Sequence, residues 1–247
     1  NRVVDGSSEN NDHFYRNEGN GKFKEIGKEI GILYEGFGLG IAVLDFNKDG
    51  YPDIYISNDF ITNDVFYVNN GDGTFTNRIH DLMKHQSFAS MGSDASDFND
   101  DGYMDIFTLD MLPTTNYKIK QMYIGTNIHI DELYERKNYE LQYMRNTMQI
   151  NNAGISLSDI SQVAGLDATD WTWSVLFADF DNDGMKDVAF TNGFMRDITD
   201  HDFAHFRSRI EASFMDDLEI LSYCPTFKTS NYMYRSLGDY KYNDVTH

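Results

Sequence analysis

Short runs of apolar residues, bounded by Gly, Asn and Asp, recur along this chain. Residues 40–44 lead into an acidic stretch, 54–57 lead out of it, 65–68 follow, and a Gly-rich turn returns the chain into 74–76. Asn-Gly and Asp-Gly between apolar runs mark tight hairpins, because Gly takes positive φ without steric cost. The pattern predicts four short antiparallel strands in about 52 residues.

The unit repeats. Asp45-Phe46-Asn47-Lys48-Asp49-Gly50-Tyr51-Pro52-Asp53 returns as Asp97-Phe98-Asn99-Asp100-Asp101-Gly102-Tyr103-Met104-Asp105 and as Asp179-Phe180-Asp181-Asn182-Asp183-Gly184-Met185-Lys186-Asp187, at offsets of 52 and 82 residues. A second string, Phe14-Tyr15-Arg16-Asn17, recurs as Phe66-Tyr67-Val68-Asn69, Met148-Gln149-Ile150-Asn151 and Met233-Tyr234-Arg235-Ser236; its first two steps are again 52 and 82, and the third is 85. Two motifs sharing their offsets identify a repeat architecture. A fourth acidic loop would start near residue 264, so the expectation is a chain ending within a fourth repeat. Four strands per unit predict an all-β β-propeller; a β-sandwich fits a 52-residue period poorly.

The expected units are residues 12–63, 64–113, 146–194 and 231–247, about three and a half blades. The longer offsets reflect insertions at about 114–145 and 195–228. In the first, residues 131–144 read as helix. In the second, Phe203, Phe206, Ile210, Phe214, Leu218 and Leu221 have the three-to-four spacing of an amphipathic helix that Pro225 stops. Both leave after a second strand and should cap one rim.

The acidic loops carry the chemistry. Asp-x-Asp/Asn-x-Asp-Gly-x-x-Asp brings side chains 1, 3 and 5 together when the loop curls. Position 7 offers a carbonyl, and Asp at position 9 closes the shell. Oxygen donors without His or Cys suit Ca²⁺. The candidate ligands are Asp45, Asn47, Asp49, Tyr51 and Asp53; Asp97, Asn99, Asp101, Tyr103 and Asp105; and Asp179, Asp181, Asp183, Met185 and Asp187, about three ions in all. The bland alternative, solvated acidic turns, suits one copy better than three. An EF-hand is rejected: position 12 is Ile56, Thr108 or Phe190 rather than Glu, and strands flank the loop. With four carboxylates against three, the third site is expected to bind most tightly.

Composition agrees with this reading. The formal charge of −20 argues against nucleic acid as a partner, and 15% aromatic residues argue against disorder. Three Ca²⁺ would bring −20 to −14. The single cysteine, Cys224, permits no internal disulfide. No stretch approaches the roughly 18 apolar residues of a membrane helix. The opening residues carry no signal peptide, so any leader is expected to lie before them.

The chain resembles FG-GAP/VCBS repeat proteins, with calcium loops like those of integrin α-chains, and among them the ASPIC/UnbV-associated members frequent in Bacteroidetes. Residues 90–102 (SMGSDASDFNDDG), 109–113 (LDMLP), 142–146 (QYMRN), 170–174 (DWTWS) and 191–197 (TNGFMRD) carry the resemblance. It implies a seven-bladed propeller that is secreted or lipid-anchored at the outer membrane. It further implies a protein- or glycan-binding accessory beside a TonB-dependent nutrient transporter.

Other features weigh less. His201 and His205 share a helical turn, but Asp202 stands where a zinc protease needs Glu, so a solvated face is expected. Trp171 and Trp173 align with Phe37 and Leu39, which favours packing over sugar stacking. Asp94 aligns with Ala42 and Leu176 and is expected in a structural hydrogen bond. Asn58, Asp110 and Asn192 are expected to satisfy turn backbone. No nucleophile or phosphate-cradling signature is present, so a binding scaffold is expected rather than an enzyme. The alternative is a propeller lyase or hydrolase acting on glycans, which needs converging carboxylates free of metal.

Overall fold

The computed structural model describes residues 3–60, 62–122, 132, 134, 136–137, 139–209, 214–226 and 228–246. Tyr15–Gly19 (β1) and Lys22–Glu25 (β2) pair as a hairpin. The first four-stranded sheet is Gly38–Leu44 (β3), Asp53–Asn58 (β4), Val65–Asn69 (β5) and Phe75–Asn77 (β6). The second follows the short strand Gln86–Ser87 (β7) and joins Ser93–Ser96 (β8), Asp105–Thr108 (β9), Thr147–Asn151 (β11) and Leu157–Asp159 (β12); Gln142–Tyr143 (β10) lies outside it, parallel to β7. The third holds Thr172–Ala178 (β13), Asp187–Asn192 (β14), Tyr232–Ser236 (β15) and Tyr242–Asp244 (β16). All three are antiparallel meanders in chain order.

Alternation along each strand sends successive side chains to opposite faces, and the core is accordingly layered between sheets. On β4, Ile54 and Ile56 pack with Val65 and Tyr67 on one face, against Ile32, Phe14 and Tyr34. Tyr55 points the other way, into a layer shared with Ala42, Leu44, Phe66 and, from the second sheet, Ile106 and Leu157. Phe107, Met148 and Ile150 then meet Val175, Phe177, Val188 and Phe190 of the third sheet. Each fully buried apolar side chain contributes about 2 kcal/mol. The first strands are neighbours, β3 beside β8 and β8 beside β13. Asp94 on β8 accepts the Phe177 N–H of β13 at 2.9 Å, the structural hydrogen bond expected of it.

Successive four-stranded sheets, packed face to face with their first strands adjacent, are consistent with propeller blades. Both insertions leave between a second and a third strand, and they touch through a bridge between Met122 and Asp200. The helix expected over 131–144 is corrected at its end: Gln142–Tyr143 is strand, because it pairs with Gln86–Ser87. Residues 131, 133, 135 and 138 of that expectation lie outside the described residues, and Glu132, Tyr134 and Arg136 are helical. The single helix expected after 202 is two, His201–Arg207 and Asp217–Ser222, with 210–213 outside the described residues. Each has its own N-cap: Asp200 accepts the Phe203 N–H and Asp216 the Glu219 N–H, and such caps start a new helix. Phe203 is buried and Phe206 stacks on Tyr223 at 4.5 Å, whereas Phe214 and Leu218 are exposed.

Candidate metal centres

The acidic loops join the first strand of each sheet to the second, and their geometry repeats. The carboxylate at position 1 accepts two backbone N–H groups of its own loop. Asp45 takes those of Asp49 (3.1 Å) and Gly50 (2.9 Å); Asp97 takes those of Asp101 (3.1 Å) and Gly102 (2.7 Å); Asp179 takes those of Asp183 (3.0 Å) and Gly184 (2.9 Å). Position 5 accepts the N–H of position 7: Asp49 from Tyr51, Asp101 from Tyr103, and Asp183 from Met185, at 2.7–2.9 Å. The bend expected at the position-6 glycine is present, with φ of 88° at Gly50, 84° at Gly102 and 92° at Gly184. Position 4 is also left-handed, at Lys48, Asp100 and Asn182. The sequence motif leaves that position open, and the Asp and Asn among these residues are the only hint.

The residue at position 9 has a second task. Asp53, Asp105 and Asp187 are almost wholly buried. One oxygen of each accepts the N–H of position 2 (Phe46, Phe98, Phe180). The other accepts the N–H of Asn69, Asn151 or Ser236 on the third strand, at 2.7–2.9 Å. Burial raises the pKa of Asp53 against these N–H groups, with Asp49 and Asp45 adding to the rise. At Asp105, burial prevails over the same kind of N–H partners and, with Asp101 and Asp97, lifts the pKa to about 6.

Carboxylate convergence is plainest in the third loop, where ligand atoms of Asp179, Asp181 and Asp187 lie within 4.8 Å of one another. In the first two loops position 3 is an amide, and Asn47 and Asn99 donate Nδ2–H to Asp49 and Asp101 at 2.8 and 2.9 Å. A carboxylate oxygen holding one N–H keeps another lone pair, and an oxygen-only donor set fits a hard divalent cation. Lys48 of the first loop lies over the Tyr103 ring of the second, 3.7 Å from its centre, so neighbouring loops touch.

Two segments of the chain, residues 3–56 and 45–108, match the model of the FG-GAP-like repeat. Residues 3–108 are similar to FG-GAP-like repeats. The matched segments hold the first two acidic loops, and each runs from one sheet into the next. Among curated proteins none matches the chain. FG-GAP-like repeats on consecutive four-stranded sheets suggest a propeller-like binding module.

A second repeated device escaped the sequence reading. At the sheet end away from the acidic loop, Asp64, Asn146 and Asn231 accept the N–H of Asn58, Asp110 and Asn192. Their spacings of 82 and 85 residues match the repeat and could have revealed them. Asn58 and Asn192 also donate to the carbonyls of Asn63 and Ser230, as expected of turn residues. Asp110 is fully buried, accepts the Ser87 hydroxyl and the N–H groups of Phe88, Ala89 and Met111, and is raised to about 6 by burial. Trp171 is buried and stacks on Phe194 at 4.1 Å, while the more exposed Trp173 donates Nε1–H to the Gly193 carbonyl. His201 and His205 lie on an exposed helix face. No helix among the described residues is long and apolar enough to cross a membrane.

Proposed function

We propose that this chain is part of a calcium-stabilised β-propeller, seven-bladed when complete. In this reading it serves as a binding scaffold, not an enzyme, on a secreted or outer-membrane-anchored protein. The observation that carries the proposal is the threefold repetition of one acidic loop geometry, two copies of which lie in the segments that match the FG-GAP-like repeat. Calcium at these loops neutralises carboxylates that otherwise repel, and it stabilises the folded state by mass action. The ligand is a protein or glycan at the cell surface, and the setting is an ASPIC/UnbV-type accessory of a TonB-dependent nutrient-uptake complex.

Binding is favoured over glycan cleavage by how the carboxylates outside the loops are engaged. Asp94, Asp110, Asp159 and Asp170 all hold backbone or side-chain partners within the fold. The test is thermal unfolding in millimolar calcium and in excess chelator. A melting temperature that falls by several degrees on chelation supports the proposal, and one that chelator leaves unmoved sinks it.

A further inference from the structure

We infer that Arg235 is a built-in counter-ion of the third acidic loop, which calcium must displace, so that the loop richest in carboxylates fills last. This rests on the calcium reading above and reverses the order that carboxylate count alone implies. Arg235 stands on β15, one residue before Ser236, whose N–H is pinned to Asp187. Its Nε lies 2.7 Å from Asp181 Oδ2, and a terminal nitrogen donates to Asp183 Oδ2 at 3.2 Å. The same places on the sister strands hold Val68 and Ile150, beside Asn69 and Asn151.

Two positions therefore change together within one chain. The first two loops combine Asn at position 3 with an aliphatic residue on the third strand, and the amide itself donates to the position-5 carboxylate. In the third loop position 3 is a carboxyl group, Asp181, in place of the amide, and Arg235 supplies the donor to Asp183 from outside the loop. Counting positions 1, 3, 5 and 9, the loops carry three, three and four carboxylates. With Arg235 included, each stands at a net −3.

Displacement is feasible because the pair is only half enclosed: the Arg235 side chain is 49% exposed. Ion pairs so exposed hold weakly, and the long arginine stem can turn to water. Calcium at 2.3–2.6 Å from Asp181 and Asp183 would want the oxygens that the guanidinium holds. Releasing those oxygens breaks a pair that the first two loops do not hold, and the guanidinium, even turned outward, still repels the dication, which together weaken the site on the order of tenfold.

The experiment is calorimetric calcium titration at low ionic strength of the unaltered protein, Arg235→Gln and the double variant Asp181→Asn/Arg235→Val. The double variant gives the third loop the side chains of the first at positions 1, 3, 5 and 9 and on the third strand, and near-ultraviolet circular dichroism checks that each variant is folded. Asp183→Asn assigns the third loop's class of sites. The expected result is two tight sites and one roughly tenfold weaker in the unaltered protein. Arg235→Gln should tighten the weak site by about that factor, and the double variant should give three alike. Three equivalent sites unaffected by Arg235→Gln, or a third site that weakens when Arg235 is removed, would overturn the role of Arg235 while leaving calcium binding intact. No uptake by any of the proteins would sink the calcium reading and this inference with it.

Discussion

Asn151 donates its backbone N–H to Asp105 at 2.7 Å, tying the end of the second sheet's third strand to the acidic loop that precedes its second strand. The Asn151 side chain adds bonds to the carbonyls of Met104 (3.1 Å) and of Phe46 in the first sheet's loop (2.9 Å). Asp105→Ala leaves the N–H groups of Phe98 and Asn151 without their acceptor. A loss of about 2–4 kcal/mol is expected, since each buried unsatisfied group costs about 1–3 kcal/mol. Urea unfolding in calcium-free buffer checks it. An unchanged midpoint there would mean that Asp105 matters to the metal alone.

The opposite end of the sheet offers a test with no metal involved. Asn146 accepts the Asp110 N–H at 2.8 Å and donates to the Leu166 carbonyl and the Thr169 hydroxyl. Asn146→Ala is expected to cost about 2–3 kcal/mol, with calcium affinity unchanged. Urea unfolding and calcium titration of the same sample separate the two effects.

Acid should weaken the second sheet through Asp159. Burial alone would raise its pKa, but hydrogen bonds from His85, Ser161 and Met148 prevail and hold it at about 2. Arg145 pairs with it as well, at 3.1 Å. A carboxylate depressed in the folded state stabilises above its unfolded pKa, near 4, and that contribution disappears as pH falls through about 2. The window is therefore pH 4 to 2, and the size is about 2 kcal/mol. Asp159→Asn should lose this amount at pH 7 and flatten the stability profile in that window, as read by urea midpoints across pH.

Asp94 links the inner strands of two sheets. Asp94→Ala removes the acceptor of the Phe177 N–H and should cost about 1–2 kcal/mol. Amide hydrogen exchange at Phe177 should rise in the variant; unchanged protection would mean that the bond contributes nothing.

The acidic loops and flanking strands were legible because each is a dense local pattern repeated at fixed offsets. Asp64, Asn146 and Asn231 were harder to see: a lone Asx before a strand looks like any turn residue, and only its partner across the sheet gives it meaning. The split after 202 shows the limit of periodicity. Apolar spacing runs on from Phe203 to Leu221, yet Asp216 with Glu219 three residues later is a capping signature that marks a fresh start. Arg235 was invisible as a partner of Asp181, since 54 residues of sequence and an insertion separate them.

The FG-GAP-like segments straddle the sheets: residues 3–56 begin with the β1–β2 hairpin and end in β4. The repeating stretch of chain and the folded sheet are thus out of phase, overlapping like shingles. Loss of one full period, residues 17–68, joins Arg16 to Asn69 and restores the strand grammar with one sheet fewer. Trimming the first sheet at its visible edges, residues 38–77, instead leaves Asn17 and Asp97 40 residues apart, whereas Asn17 and Asp45, Asn69 and Asp97, and Asn151 and Asp179 are each 28 apart. Gain or loss of material in this architecture should therefore proceed by whole periods, and circular dichroism of the two deletions would tell them apart.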